Sequence, residues 1–296
     1  MLTFFTAPKP FSGHVGIIQR NAIKSWMLLR PRPEIILFGP EEGTAEIAGE
    51  FGLCHIRGVA SSEFGAPLLN DMFAKAQADG GAELFCFVNC DIVLFQDFID
   101  SIDRTRNFAK RFLMVGQCWN MDITEPFDFQ DPNWEERLRV VVRTSAKQRE
   151  ITGIDYFVFS RDLFAGMPPF SVGRPFFDNW LVWHACHSDA AVVDATATAL
   201  VIHQNHPPKW VWTGNDAVRN FELAGGWHTR YSIANAGYRL TPDGIVRDRI
   251  RPFYAQWKLR RWIWTSSVIN WTRPARHALG FNQQRFDALK RALFRR

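Results

Sequence analysis

The chain has no apolar run long enough to cross a bilayer. Its opening, Met1-Leu-Thr-Phe-Phe-Thr-Ala-Pro, has neither the basic start nor the long apolar stretch of a secretory leader. The expectation is a cytoplasmic protein. Cysteine is sparse: Cys54, Cys86, Cys90, Cys118 and Cys186 are odd in number, scattered, and mostly set in apolar segments. They form no CxxC pair or other metal-ligand spacing, which excludes a disulfide framework and predicts reduced core thiols. Internal repeats and low-complexity tracts are also absent.

Acidic residues nearly vanish from one end of the chain. From Arg247 to Arg296 there are 13 Lys and Arg against two acids, whereas the preceding residues hold 22 basic and 28 acidic side chains. The formal charge of +5 therefore belongs to the tail. The 296 residues suit one large domain with an appendage. The boundaries expected are 1–246 for the domain, with an insertion or lid at about 119–150, and 247–296 for the extension.

Strand and helix signals alternate through the first domain. Residues 2–6 read as a strand that stops at Ala7-Pro8-Lys9-Pro10, a rigid loop with a cation at its centre. Val15, Ile18, Ala22, Trp26 and Leu29 recur at helical spacing. A strand at 34–38, a helix at 44–51, a strand at 54–59 and a helix opened by Pro67 follow. This alternation predicts an α/β domain with a mostly parallel sheet. Further signals mark helices after Phe95, at 134–143 and at 177–185, and strands at 112–115, 154–159, 191–193 and 199–202.

The stretch Leu84-Phe85-Cys86-Phe87-Val88-Asn89-Cys90-Asp91-Ile92-Val93-Leu94 carries the strongest functional signal. Apolar strand residues deliver one carboxylate, preceded by an amide, to a strand end, and no cation stands beside it in the chain. An unpaired carboxylate in apolar surroundings costs several kcal/mol, so a metal ion or a ligand group is a natural partner. Parallel α/β sheets bind ligands beyond the carboxyl ends of their strands, where Lys9 and Asp91 both fall. An acid, Asp178, opens a late helix, and His203-Gln-Asn-His206 closes a late strand.

The order of Asn89/Asp91, Asp178 and His203 resembles that of the nucleotide-diphospho-sugar transferases of the GT-A glycosyltransferase fold, over residues 1–245. Thr-Ala-Pro-Lys-Pro-Phe at 6–11, Gly-Ala-Pro-Leu-Leu-Asn-Asp at 65–71 and His-Gln-Asn-His followed by Asn220 and Gly225-Gly226 are also similar to some bacterial and plant members. The resemblance implies a Rossmann-like single domain with flanking helices. It implies a divalent metal, Mn²⁺ or Mg²⁺, held by Asp91 with His203 or His206. It further implies a UDP- or GDP-sugar donor contacted by Thr6, Ala7, Lys9, Asn70, Asp71, Asn89, Cys90 and Asp91. The first acid of the family's DxD motif is here Asn89, which suits ribose or a metal-bound water better than the metal. Asp178 stands where inverting members keep their base, and Asp155 competes for a sugar-side or acceptor-side role. Taken locally, Asp178 reads first as a helix-start acid matched to the dipole, and it is the ordered set with Asn89/Asp91 and His203 that favours the base.

Several assisting groups are candidates as well. Lys209 or an arginine of the 134–143 helix can help Lys9 neutralise a diphosphate, and Trp119, Trp180 and Trp210 are candidates for sugar stacking among aromatics that mostly build the core. The tail interleaves Trp257, Trp262, Trp264 and Trp271 with arginines and lysines, a pattern suited either to an anionic membrane surface with a glycan or lipid-linked acceptor, or to packing on the domain. No nucleic-acid recognition motif accompanies it. Two rival functions are a sugar-phosphate nucleotidyltransferase, against which stands the absence of a Gly-rich triphosphate loop after the first strand, and a non-catalytic membrane-surface protein.

Overall fold

The computed structural model describes residues 1–78, 81–206 and 214–257; Lys209, Trp210 and the tail beyond Trp257 lie outside the described residues. The chain divides into two compact units, Met1–Pro252 and Phe253–Arg296. The boundary expected after residue 246 falls inside a strand, Gly244–Arg247, and the first unit runs on to Pro252. Of the second unit, residues 253–257 are helical.

The first unit opens with β1 (Leu2–Thr6), α1 (Gly13–Leu28), β2 (Glu34–Phe38), α2 (Thr44–Phe51), β3 (Cys54–Ile56) and α3 (Leu69–Ala76). It continues with β4 (Leu84–Val88), β5 (Ile92–Leu94), α4 (Gln96–Phe108), β6 (Phe112–Val115), β7 (Trp119–Met121), α5 (Trp134–Ser145) and β8 (Lys147–Gln148). The remainder is β9 (Tyr156–Ser160), α6 (Phe177–Cys186), β10 (Ala191–Asp194), β11 (Val201–Gln204), α7 (Asn215–Leu223), β12 (Tyr238–Thr241) and β13 (Gly244–Arg247).

Nine strands form the main sheet, in the order β13-β12-β10-β6-β9-β4-β1-β2-β3. Five of its eight neighbouring pairs are parallel, so the expected mostly parallel α/β architecture is the one observed. Side chains alternate between faces along a strand. Phe4 accordingly meets Trp26 and Phe98 on one side of β1, at ring separations of 6.0 and 6.1 Å. Phe5 meets Phe73 at 4.9 Å on the other side, where Phe73 stacks on Phe159 at 5.0 Å. Helices cover both faces, which is why β4 is apolar without interruption.

The apolar run from 84 to 94 is not one strand. It breaks at Asn89–Asp91, and β5 leaves for a second, four-stranded sheet in the order β5-β11-β7-β8. A separate small core of Val93, Phe95, Leu138, Val142 and Ile202 lies there, with Trp119 and Trp134 packed on it. The 119–150 segment, expected as an insertion or lid, thus contributes β7 and β8 to this smaller sheet and, from α5, Leu138 and Val142 to its core.

Candidate active site

Strand directions decide which side chains meet. β1 and β4 are parallel and in register, Phe5 opposite Phe87, so the loops bearing Lys9 and Asp91 leave the sheet at the same edge. β9 runs antiparallel to β4, with Val88 opposite Tyr156, so the start of β9 brings Asp155 to that edge too. β11 runs antiparallel to β5, with His203 opposite Ile92 and therefore beside Asp91. Phe177 at the start of α6 packs on Phe87 and Phe157 at 6.0 and 6.4 Å, which sets Asp178 near the same strand ends.

Asp91 is 6% exposed and stands among cationic and imidazole groups. Its Oδ2 is 3.0 Å from Nε2 of His206 and 3.7 Å from Nζ of Lys9. Lys9 Nζ is in turn 3.0 Å from the same His206 Nε2. Burial alone would raise the Asp91 pKa, but the His206 hydrogen bond and the electrostatic pull of the imidazoles and of Lys9 bring it down to about 2. Burial also holds the His203 imidazole below its ordinary pKa, against the opposing pull of Asp155 and Asp91, which favours the neutral form. One ligand atom from each of Asp91, His203 and His206 lies within 4.8 Å of the others.

These three residues fit a divalent cation. Asp91 Oδ1 and His203 Nδ1 are buried without a hydrogen-bond partner among the described residues, a state that usually costs 1–3 kcal/mol per group. A single Nε2 cannot both accept from Lys9 and donate to Asp91, so the tautomer of His206 decides which of the two contacts is a hydrogen bond. Mixed carboxylate and imidazole donors suit Mn²⁺ and do not exclude Mg²⁺.

Buried amides fix the backbone around the cluster. Gln19 on α1 accepts from the Lys9 N–H at 2.7 Å and donates to the Lys9 carbonyl at 2.8 Å. Gln204 donates to the carbonyls of Asp91 and Ile18 at 3.1 and 2.7 Å, and accepts from Asn21 at 3.1 Å. Trp26 Nε1 donates to the Ile92 carbonyl at 2.8 Å. Sequence reasoning missed Gln19, Asn21 and Gln204 as supports. The available signal was Gln19 and Asn21 lying among the apolar positions of α1.

A second polar group adjoins the first. The Asn89 side chain donates to Asp155 Oδ1 at 3.0 Å, and the Asn89 N–H donates to the Asp155 carbonyl at 2.9 Å. Arg149 Nε lies 3.3 Å from Asp155 Oδ2 without hydrogen-bond alignment, so the contact is an ion pair alone. A guanidinium thus meets Asp155 and not Asp91, a pairing no local pattern announced. Gly153 permits it, since a Cβ there would strike the Arg149 side chain.

Asp178 occupies the first turn of α6, which is entered through Phe176 at φ 86°, a left-handed conformation costly for a non-glycine residue. Asn220, fully buried on α7, holds the preceding segment. It accepts from the Ser171 N–H at 2.8 Å and donates to the carbonyls of Ser171 and Pro175 at 3.0 and 3.2 Å. Asp178 is half-buried, and its Oδ1 is shielded from solvent without a partner among the described residues. Burial raises its pKa to about 6; nearby Asp155 adds to the rise, while backbone N–H groups at the helix start oppose it. The result is a carboxyl that titrates close to neutral pH.

Thr6 is buried at the end of β1. Ala7 is partly buried beside it. Cys90 is buried in the core, and its thiol pKa is pushed well up by that burial. Asn70 Oδ1 is buried without a partner among the described residues, whereas Asp71 is engaged by the Ala60 N–H and by Lys75, both at 2.7 Å. Arg139 of α5 pairs with Asp97 and Glu135 and lies over Phe95, which ties it to the smaller sheet. Arg137 pairs with Asp131 at 3.0 Å. Trp119 packs on the smaller core, and Trp180 is buried against His184. Among the described residues, no helix is long and apolar enough to cross a membrane.

No family model and no curated protein matches the chain. Among solved structures it is similar to that of S. aureus TarS 1-349 in complex with UDP-GlcNAc, at 11% identity and a TM-score of 0.49. That match covers 76% of this chain and 65% of the other, so the chain spans just under two thirds of that structure's length. It is also similar to glucosyl-3-phosphoglycerate synthase from Mycobacterium tuberculosis in complex with Mg²⁺ and uridine-diphosphate, at 13% identity and a TM-score of 0.44, covering 76% of this chain and 79% of that one. A putative nucleotide-diphospho-sugar transferase from Desulfovibrio desulfuricans G20 matches at 9% identity and a TM-score of 0.33, covering 56% and 68%.

Proposed function

We propose that the protein is a metal-dependent glycosyltransferase of the GT-A type. In this reading it moves a sugar from a nucleoside-diphosphate sugar to an acceptor hydroxyl with inversion at the anomeric carbon. The observation that carries the proposal is the convergence at one sheet edge of Asp91, His203 and His206 with Asp178, an acid whose pKa is raised to about 6.

Displacement of a nucleoside diphosphate needs positive charge on the leaving group and a base for the incoming hydroxyl. Asp91, His203 and His206 would hold a divalent ion, which would supply positive charge to the leaving diphosphate. Lys9 is the chain's own cation at that place and binds the phosphate oxygens by charge-assisted hydrogen bonds. Asp178 accepts the proton of the acceptor hydroxyl, a role that typically contributes about 10²–10⁴ in rate and works best with a pKa near the working pH. Asp155, fixed by Asn89 and Arg149, holds one wall of the site and faces the sugar. Asn70, with an unmatched buried oxygen, contacts the nucleoside. The acceptor is a glycan or lipid-linked hydroxyl, and the Trp- and Arg-rich tail brings the enzyme to an anionic membrane surface where such acceptors reside.

A thermal-shift screen of UDP- and GDP-sugars, each with and without Mn²⁺, tests the reading. A cognate donor raises the melting temperature in a metal-dependent way, because a ligand specific for the folded state must stabilise it. No shift with any nucleotide sugar, in the presence of both Mn²⁺ and Mg²⁺, contradicts it.

A further inference from the structure

Lys9 stands on the atoms that a metal ion would need. Its ammonium lies 3.0 Å from His206 Nε2 and 3.7 Å from Asp91 Oδ2, two of the three atoms that would ligate a cation. A buried carboxylate needs a counter-charge in every state of the protein, and Lys9 provides one. A divalent ion brought to the same atoms would meet that ammonium at close range, where like charges repel strongly. The two cations therefore compete for one seat.

The loop beneath Lys9 does not have to move when the ammonium leaves. Gln19 clasps the Lys9 backbone on both its N–H and its carbonyl. The side chain is 37% exposed and free to turn outward on its flexible stem. An anionic group beside the cation site offers the departing ammonium a new partner. Binding of the anion and binding of the metal then favour each other.

We infer that Lys9 is a built-in stand-in for the metal, one that makes metal binding conditional on a diphosphate. Without a diphosphate it neutralises Asp91 and weakens divalent-cation affinity. With one, it transfers to the phosphate oxygens and opens the seat. The inference rests on the metal reading given above, and it adds an order to the assembly: the metal binds well only together with the nucleotide.

The test is Mn²⁺ titration, followed by the electron paramagnetic resonance signal of free Mn²⁺, on the full-length protein with and without UDP. Wild type, Lys9→Met, Lys9→Arg and Asp91→Ala are compared, with folding checked by circular dichroism. UDP should tighten Mn²⁺ binding to wild type by about tenfold or more, within the usual range for coupled sites. Lys9→Met should bind Mn²⁺ about tenfold more tightly than wild type in the absence of UDP, with the effect of UDP reduced to the part the diphosphate contributes as a ligand of the ion. Lys9→Arg keeps the charge and should stay weak. A wild type that binds Mn²⁺ through Asp91, beside a Lys9→Met variant of equal or lower affinity, overturns the stand-in role and leaves the metal site in place. Absence of binding in every protein, with and without UDP, removes the metal site and this inference together.

Discussion

Replacing Asp178 by Asn should make the protein more stable while removing its activity. The folded protein keeps this carboxyl protonated up to about 6, against an ordinary value of 3.8. Between those two pH values the folded state holds a proton that the unfolded chain has released, so stability falls as pH rises through the window and the loss is complete above it. At 1.36 kcal/mol per pH unit the full penalty is about 3 kcal/mol. Partial exposure of the side chain reduces this to about 1–2 kcal/mol, since solvent screens the charge. Asparagine is isosteric and carries no charge, so Asp178→Asn should recover that amount at pH 7.5 and almost nothing at pH 4. For a unit of this size the gain corresponds to roughly 2–8 °C in melting temperature. Differential scanning calorimetry at the two pH values reads the difference, and a pH-independent gain, or a loss of stability at pH 7.5, would show that the Asp178 charge carries no such penalty. In the same variant, transfer from the cognate donor should fall by about 10²-fold or more with donor affinity retained.

Three further outcomes follow from the geometry. Wild-type turnover should rise with pH through about 6 as Asp178 ionises, and a flat profile between pH 5 and 8 would remove it as the base. Asn220→Ala should cost roughly 2–4 kcal/mol in urea unfolding, because it strips partners from Ser171 and Pro175 in a buried segment; it should also lower kcat more than the KM for donor, since the segment leads into Asp178. Thiol labelling of the native protein should be fast at exposed Cys54 alone, while Cys86, Cys90 and Cys118, buried and with pKa values pushed well up by that burial, should react only on unfolding. Rapid native labelling of any of those three would show that the site edge opens.

The repetitive parts of the fold were legible because they rest on local pattern. β1, β2, α2 and β6 stop where apolar periodicity meets Pro, Gly or charge, and the alternation of strand and helix signals sufficed for a parallel α/β sheet. Strand direction and sheet membership were not legible, since both are set by long-range pairing. Nothing in Tyr156–Ser160 says that β9 runs antiparallel to its neighbours, yet that direction is what carries Asp155 to the site edge. Likewise, the break after Val88 sends β5 into a second sheet, and its pairing with β11 brings His203 beside Asp91. The acids and imidazoles could be singled out as reactive types at strand ends. Their supports could not: Arg149 meets Asp155 by passing over Gly153, where a Cβ would strike its side chain, and Lys9 meets His206 across 197 positions of sequence.

The claim on which the functional reading stands is that Asp91 anchors a divalent ion that holds a diphosphate. Isothermal titration of UDP into wild type and Asp91→Ala, each with Mn²⁺ and with EDTA, tests it most directly. Mn²⁺ should strengthen UDP binding to wild type and have no effect on Asp91→Ala. Equal UDP affinity in all four titrations would contradict it.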